Sequence, residues 1–377
     1  MRFPQRSIVL LILLLPIVAW AVVFGQKGVT LQRFWEENPG QQPLLDQLAV
    51  RVHSLPIPIS SIQTNTLQIG VVFSGMERDV ENRAWLAAFK RRMQILRIDY
   101  RLDVFYLPSN YSANDVVRVF DAIRASNFDY LVADDVTEYL RPEFEQILVQ
   151  RTPKMILTNV STPFNVWRFH PPLIYIGVDS SQSMGRLASY LDRRLSKNAS
   201  IDVIAVDDSY LYDSRCSTFV NALETIGREV RDYYIVPDSQ IDGYRAAMSS
   251  LDHGSVYLEG DSAQQEQFIF SCSAEVSAGV WEALNDAQVP QTYTNSWSGK
   301  PPYPSGTHNP HLLVTVLGMH DNKAIATAEV IKADIESRLL PMVYAEPSQL
   351  ITQDMDEQTL NIMYEQAFMY SRPLWPL

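Results

Sequence analysis

Twice along this chain, short runs rich in Val, Ile and Leu alternate with amphipathic stretches at helical spacing. In the first series, LQIGVVF (Leu67 to Phe73) leads to a helix pattern from Val80 to Ile95. LDVFYL then leads to one from Asp115 to Ala125, and YLVADD to one from Pro142 to Gln150. The second series pairs IDVIAVDD with a helix beginning near Ser214, and DYYIV with one around Tyr244 to Leu251. FIFSC precedes Glu275 to Ala287, and LLVTVLG precedes Asn322 to Ile335. Parallel neighbours need a crossover, and the crossover helices cover both sheet faces, so parallel strands read as continuous apolar runs. Two such series predict an α/β protein of two similar lobes, each a parallel sheet covered by helices on both faces.

The segment from Lys154 to Asp179 lies between the series. KMILTNVSTP is an apolar run that ends on Thr158 and Asn159 at a turn, and PLIYIGVD is a second buried strand. Asp179 is placed to cap the helix that follows. Open α/β sheets read ligands at the carboxyl ends of their strands, so Asn159 stands where a ligand group would be recognised.

The amino terminus sets the expected compartment. Arg2 and Arg6 precede an apolar run from Ile8 to Phe24, and Ala19-Trp20-Ala21 offers small residues at a cleavage site. Residues 1–21 read as a cleaved secretory signal, with an uncleaved inner-membrane anchor as the alternative. No Cys follows the run for lipid attachment. Losing Arg2 and Arg6 takes the 31 basic residues to 29 against 43 acidic ones, a net charge of −14. That balance argues against nucleic acid as a partner, since phosphate binding needs clustered cations. The remaining length, about 350 residues, favours two domains. Residues 22–60 read as a helical leader (Leu31 to Val52) and a linker, PIPISS. The expected lobes are 61–172 with 319–343, and 173–318 with 344–377. PPYPSGTHNP reads as a loop.

Signals of catalysis are weak. Six histidines are scattered without a helical metal-ligand spacing, and no nucleophile elbow, P-loop or dinucleotide fingerprint follows a strand. No cofactor, metal or enzymatic activity is expected. The pairs Asp134-Asp135 and Asp207-Asp208 end strands, where they serve as caps and turn residues or hold sugar hydroxyls. Cys216 and Cys272 are too few for a disulfide framework; they read either as one bridge or as two small buried residues.

Several blocks together carry a resemblance: FWEENPGQ in the leader, ILTNVSTPFNVW with IYIGVD, YLYDSRCSTF, FIFSCSAEVSAG, TNSWSG, VTVLGMHDNKAIATAEVIKADI and the late AFMYS. In these the chain resembles the LuxP-like receptors for autoinducer-2, within the ribose-binding-like periplasmic proteins. The resemblance implies two lobes joined by a multi-strand hinge, closing over a small ligand, and a LuxQ-type membrane sensor kinase as partner. It also implies the ligand contacts. Asn159 matches a contacting asparagine, Arg215 one of two arginines that face the borate of the ligand, Trp297 a pocket tryptophan, and Ser273 a second-lobe loop position.

Other positions depart from that pattern. Glu77, Asp79 and Asn82 stand where it has glutamine, serine and tryptophan. Gly318 takes the place of the second arginine, and Ala274 with Glu275 replaces a threonine–aspartate pair. Counting Arg215, Glu77 and Asp79, the local charge falls from about +2 to about −1. Guanidinium groups hold anions through charge-assisted bonds, so this sum predicts a neutral polyol or furanose-like signal, or a cationic one, rather than a borate ester. Each position also has a plain structural reading. Arg215 would bridge Asp213, Trp297 would be core, and Glu77 and Asp79 would favour a helix start. Asn159 would cap a turn, Ser273 and Glu275 would cap a helix, and Gly318 would give a hinge room. An importer's solute-binding component, with the same pocket, is the alternative function.

Overall fold

The computed structural model describes residues 30–107, 111–134, 136, 139–207, 211–256, 266–297 and 310–375. The N-terminal segment read as a signal, Asp135, Asp208 and the PPYPSGTHNP stretch up to Asn309 lie outside them. Among the described residues no helix is long and apolar enough to cross a membrane.

The first series forms β1 (Leu67–Ser74), α3 (Val80–Leu96), β2 (Tyr100–Leu107), α4 (Ala113–Ala125), β3 (Tyr130–Ala133), α5 (Arg141–Gln150), β4 (Lys154–Thr158) and β5 (Ile174–Val178). Before it come α1 (Leu31–Glu37) and α2 (Gln42–His53). The second series forms α6 (Ser180–Arg194), β6 (Ser200–Val206), α7 (Thr218–Thr225), β7 (Tyr233–Val236), α8 (Gln240–Val256), β8 (Gln267–Ser271), α9 (Ala274–Ala287), β9 (Thr292–Trp297) and β10 (Leu312–Leu317). The chain ends through α10 (His320–Ile335), β11 (Val343–Glu346), β12 (Gln349–Thr352) and α11 (Glu357–Ala367).

Two six-stranded sheets result. The first runs β11-β5-β4-β3-β1-β2, with every pairing parallel. The second runs β12-β10-β9-β8-β6-β7, parallel except for the β10–β12 pair. The first five strands of each therefore share the doubly wound order 2-1-3-4-5. In such sheets the crevice for a ligand opens at the carboxyl ends beside the strand that the chain starts from.

The lobe boundaries differ from those expected. β5 belongs to the first sheet, and the crossing comes after it, at Asp179, because α6 packs on the second lobe through Met184, Leu187 and Leu191. A second crossing lies at Gly318 and Met319, after which α10 packs on α2 and α3. β11 also joins the first sheet, so within 344–377 it is β12 that enters the second. The end of the chain packs at the join: Tyr364, Phe368 and Trp375 cluster with Ala84 of α3 and Leu317 of β10. The periodicity located nine of the twelve described strands but carries no record of which sheet an edge strand chooses.

Three crossings make the hinge, and two are bonded to each other. Asp179 N donates to Glu346 O at 2.8 Å, and Ser348 N to Ser183 Oγ at 2.8 Å. As expected, Asp179 caps α6 by accepting from Gln182 N at 2.9 Å.

Arg92 of α3 holds the first lobe's helical layer together. Its side chain is wholly buried, and its Nε donates to Glu329 of α10 at 2.7 Å. Nη2 reaches Arg51 O at the end of α2 at 2.6 Å, and Nη1 reaches Tyr370 Oη at 3.4 Å. Removing one member of a buried pair strands the other charge, at a cost of about 3–5 kcal/mol. Arg92→Met should therefore lower the urea unfolding free energy by about that much, and the double change Arg92→Met with Glu329→Met should recover part of it. A single variant as stable as the parent would show that the pair contributes nothing.

A candidate ligand cleft between the lobes

Within each sheet the parallel strands deliver their last residues to the same side, antiparallel β12 excepted. In the first lobe, β1 ends in a tight loop. Gly75 adopts φ +92°, and a Cβ there would fall 2.4 Å from Asp79 Oδ2. Asp79 Oδ2 accepts from Met76 N at 2.6 Å, and Asn82 Nδ2 donates to Ser74 O and Met76 O, each at 3.0 Å. Asp79 Oδ2 and Asn82 Nδ2 thus shape the loop, and Asn82 is buried. Glu77 points into an open groove with Met76, Arg78 and Arg83. Its charge adds to burial in raising the phenol of Tyr106 on the outer strand β2.

At the end of β4, Asn159 adopts a left-handed φ of 62°. Asparagine tolerates that conformation better than most residues. Its Nδ2 donates to Asp134 Oδ1 at 2.8 Å, and Thr158 Oγ1 donates to the same oxygen at 3.0 Å. Its Oδ1 accepts from Lys323 Nζ in the first turn of α10. Burial raises Asp134 above the usual carboxylate range, against the pull of Lys323 and of the Thr158 hydroxyl.

In the second lobe, a π-helical turn (Tyr212–Ser217) carries Arg215 ahead of α7. The Arg215 guanidinium stacks 4.3 Å over the Trp297 ring, and Nη1 donates to Cys272 O at 3.2 Å. Trp297 is itself buried, with Nε1 donating to Ser271 O at 2.7 Å. Cys216 and Cys272 form a disulfide with Cα atoms 5.4 Å apart, which joins the turn bearing Arg215 to the end of β8. Ser273 caps α9: its Oγ accepts from Val276 N at 3.1 Å and donates to Asp238 Oδ1 at 2.5 Å. Glu275 is exposed on the first turn of α9.

At the second crossing, Gly318 lies against His320, with a built Cβ 3.4 Å from Nε2. His320 stacks on Phe368 at 5.3 Å between ring centres and lies 4.8 Å from Trp375. Its Nε2 has no hydrogen-bond partner among the described residues. Burial pushes its imidazole down to about 4. Glu81 opposes that shift, while Lys323 and Arg215 add to it. His320 thus feels charges from both lobes.

Of the nine positions expected from the sequence, Asn159 stands at the end of a first-lobe strand, Arg215 stacks on Trp297 in the second lobe, and Gly318 lies at the join. Asp79, Asn82 and Ser273 hold their own loops, and Glu77 and Glu275 stand at exposed edges. Lys323, Glu81 and His320 escaped the sequence reading. A strand end signals a site, whereas the first turn of a helix entered from the other lobe gives no such signal. The expected charge sum changes as well, because Lys323 brings a cation that it left out.

No protein-family model matches the chain. Solved structures share its fold. A periplasmic ribose ABC transporter protein from Conexibacter woesei aligns with a TM-score of 0.66 at 13% identity, covering 79% of this chain and 95% of that one. An ABC transporter periplasmic solute-binding protein from Actinobacillus succinogenes with bound D-allose aligns at 0.63 and 14%, covering 78% and 100%. One from Bacillus halodurans with bound myo-inositol aligns at 0.61 and 14%, covering 81% and 100%. The chain has the type I periplasmic binding protein fold.

The His320 environment has a measurable consequence. The unfolded chain takes up a proton near pH 6.5 and the folded one near 4, so stability from the neutral imidazole is complete above about pH 6.5 and is lost as pH falls toward about 4. An NMR titration should find the His320 ring neutral at pH 6, with its midpoint near 4. An ordinary midpoint of about 6.5 would contradict the buried stack.

Proposed function

We propose that this protein is an exported, non-enzymatic solute-binding protein that holds a small polyhydroxylated molecule between its lobes. The arrangement that carries the reading is one wall built from Asn159, Asp134 and Lys323, facing a second built from Arg215 stacked on Trp297. Amide, carboxylate and ammonium groups alternate donors and acceptors, as hydroxyls require, and an indole face suits a sugar ring. Ligand contacts on both walls would favour the closed lobes, and the three crossings supply the hinge. The neighbours that bind allose and inositol support a sugar-like ligand and the importer role.

A second reading is a receptor of the autoinducer-2 class that signals through a LuxQ-type membrane sensor kinase. The observation favouring it is the leader. The neighbours are matched over 95–100% of their own length, but they cover 78–81% of this chain. A leader bonded to the first lobe through Arg92 is an addition that a permease does not require. A sensor kinase encoded beside this gene favours the second reading, and a permease the first.

Calorimetry with D-ribose, D-allose, myo-inositol and autoinducer-2, the last with and without borate, should find a ligand. Arg215→Ala or Trp297→Ala should then weaken it by about 1.5–3 kcal/mol, the worth of a hydrogen bond to a charged group, without unfolding the protein. Unchanged affinity in both variants would remove that wall from the site.

A further inference from the structure

Lys323 stands where the chain has just crossed from the second lobe into the first, one turn into α10. Its side chain is half-buried, and its ammonium donates to Asn159 Oδ1. An ammonium has three donors. Among the described residues that is the one hydrogen bond this ammonium makes, and no carboxylate lies within ion-pair distance of it. Asp134 is outside ion-pair distance of Lys323, and its Oδ1 is occupied by Thr158 and Asn159. Glu81 is exposed. A cation withdrawn from water without a counter-ion is costly, and the cost falls when an anion arrives.

We infer that Lys323 is the counter-ion for an oxyanion on the ligand, so that the cleft takes a small hydroxylated molecule carrying a carboxylate or phosphate in preference to the neutral sugar of the same skeleton. This rests on the cleft binding proposed above and names its ligand class. Asn159 holds the ammonium in place by accepting one of its protons, leaving two donors for the ligand. Arg215, stacked on Trp297 in the second lobe, supplies a second cation for the same ligand. The cationic ligand allowed by the sequence-based charge sum is disfavoured here, because it would face Lys323 directly.

Calorimetry of the mature protein with D-ribose, D-ribonate and D-ribose 5-phosphate tests this, the two acids separating carboxylate from phosphate. One acid should bind roughly tenfold or more tightly than D-ribose, as charge-assisted hydrogen bonds require. Lys323→Met should erase that margin, weakening the acid far more than D-ribose while the protein still folds, and Lys323→Arg should restore part of it. If the Met variant folds poorly, Lys323→Gln, which keeps a donor to Asn159 without the charge, makes the same comparison. D-Ribose binding at least as tightly as both acids, or a margin that survives loss of the lysine, overturns the inference. Failure of all three probes to bind also overturns it. In that case a Trp297-dependent affinity for D-allose or myo-inositol would leave the cleft reading standing.

Discussion

The wholly buried Arg92 guanidinium is the constraint on which the first lobe depends. It is bonded to Glu329 in the middle of α10, to a carbonyl at the end of α2, and to Tyr370 near the end of the chain. Three segments distant in sequence are thereby fixed to α3. The consequence for the cleft runs along α10, whose first turn carries His320 and Lys323. Asp321 adds a second tie there by accepting from Tyr370 N at 2.5 Å and from Ser371 N and Oγ. A helix held rigidly at its middle and its start can present an ammonium to Asn159 with defined geometry.

The second lobe reaches the same end by a covalent route. The disulfide between Cys216 and Cys272 fixes the turn bearing Arg215 to the end of β8, where the Cys272 and Ser271 carbonyls accept from Arg215 and Trp297. Each wall is thus rigid within its lobe, and relative movement is left to the three crossings. Glu346 sits among them, accepting from Asn322 at 2.8 Å and from Tyr344, with His53 of α2 at 2.6 Å. Burial alone would raise this carboxyl, but those bonds outweigh it and hold it below the usual range. A charged acceptor at the hinge therefore couples the leader to the crossing strands.

Much of this was legible in the sequence because parallel strands buried on both faces must be continuously apolar. The strand β9 was not, since TYTNSW reads as polar. Its buried polar groups are paired inside the sheet: Thr294 Oγ1 donates to Ile269 O at 2.8 Å, and Asn295 Nδ2 to Ser271 O at 3.0 Å. Edge strands β11 and β12, separated by Pro347 and Ser348 alone, belong to neither strand–helix series and were missed for that reason. In the cleft, Asn159 was legible because a strand end is a fixed address in this fold. Lys323 was not, because its relevance depends on where the chain crosses between lobes. The loop-shaping bonds of Asp79 Oδ2 and Asn82 Nδ2 were not legible either, because they depend on how the chain turns at Gly75.

The central claim is that one molecule is held jointly by Asn159 and Lys323 from one lobe and by Arg215 and Trp297 from the other. A crystal structure of the protein purified from its native source, with whatever it carries, tests that claim most directly. The account predicts a small hydroxylated molecule between the two walls, touching at least one of these residues on each. A bound molecule that touches a single lobe, or one held elsewhere on the surface, would contradict it.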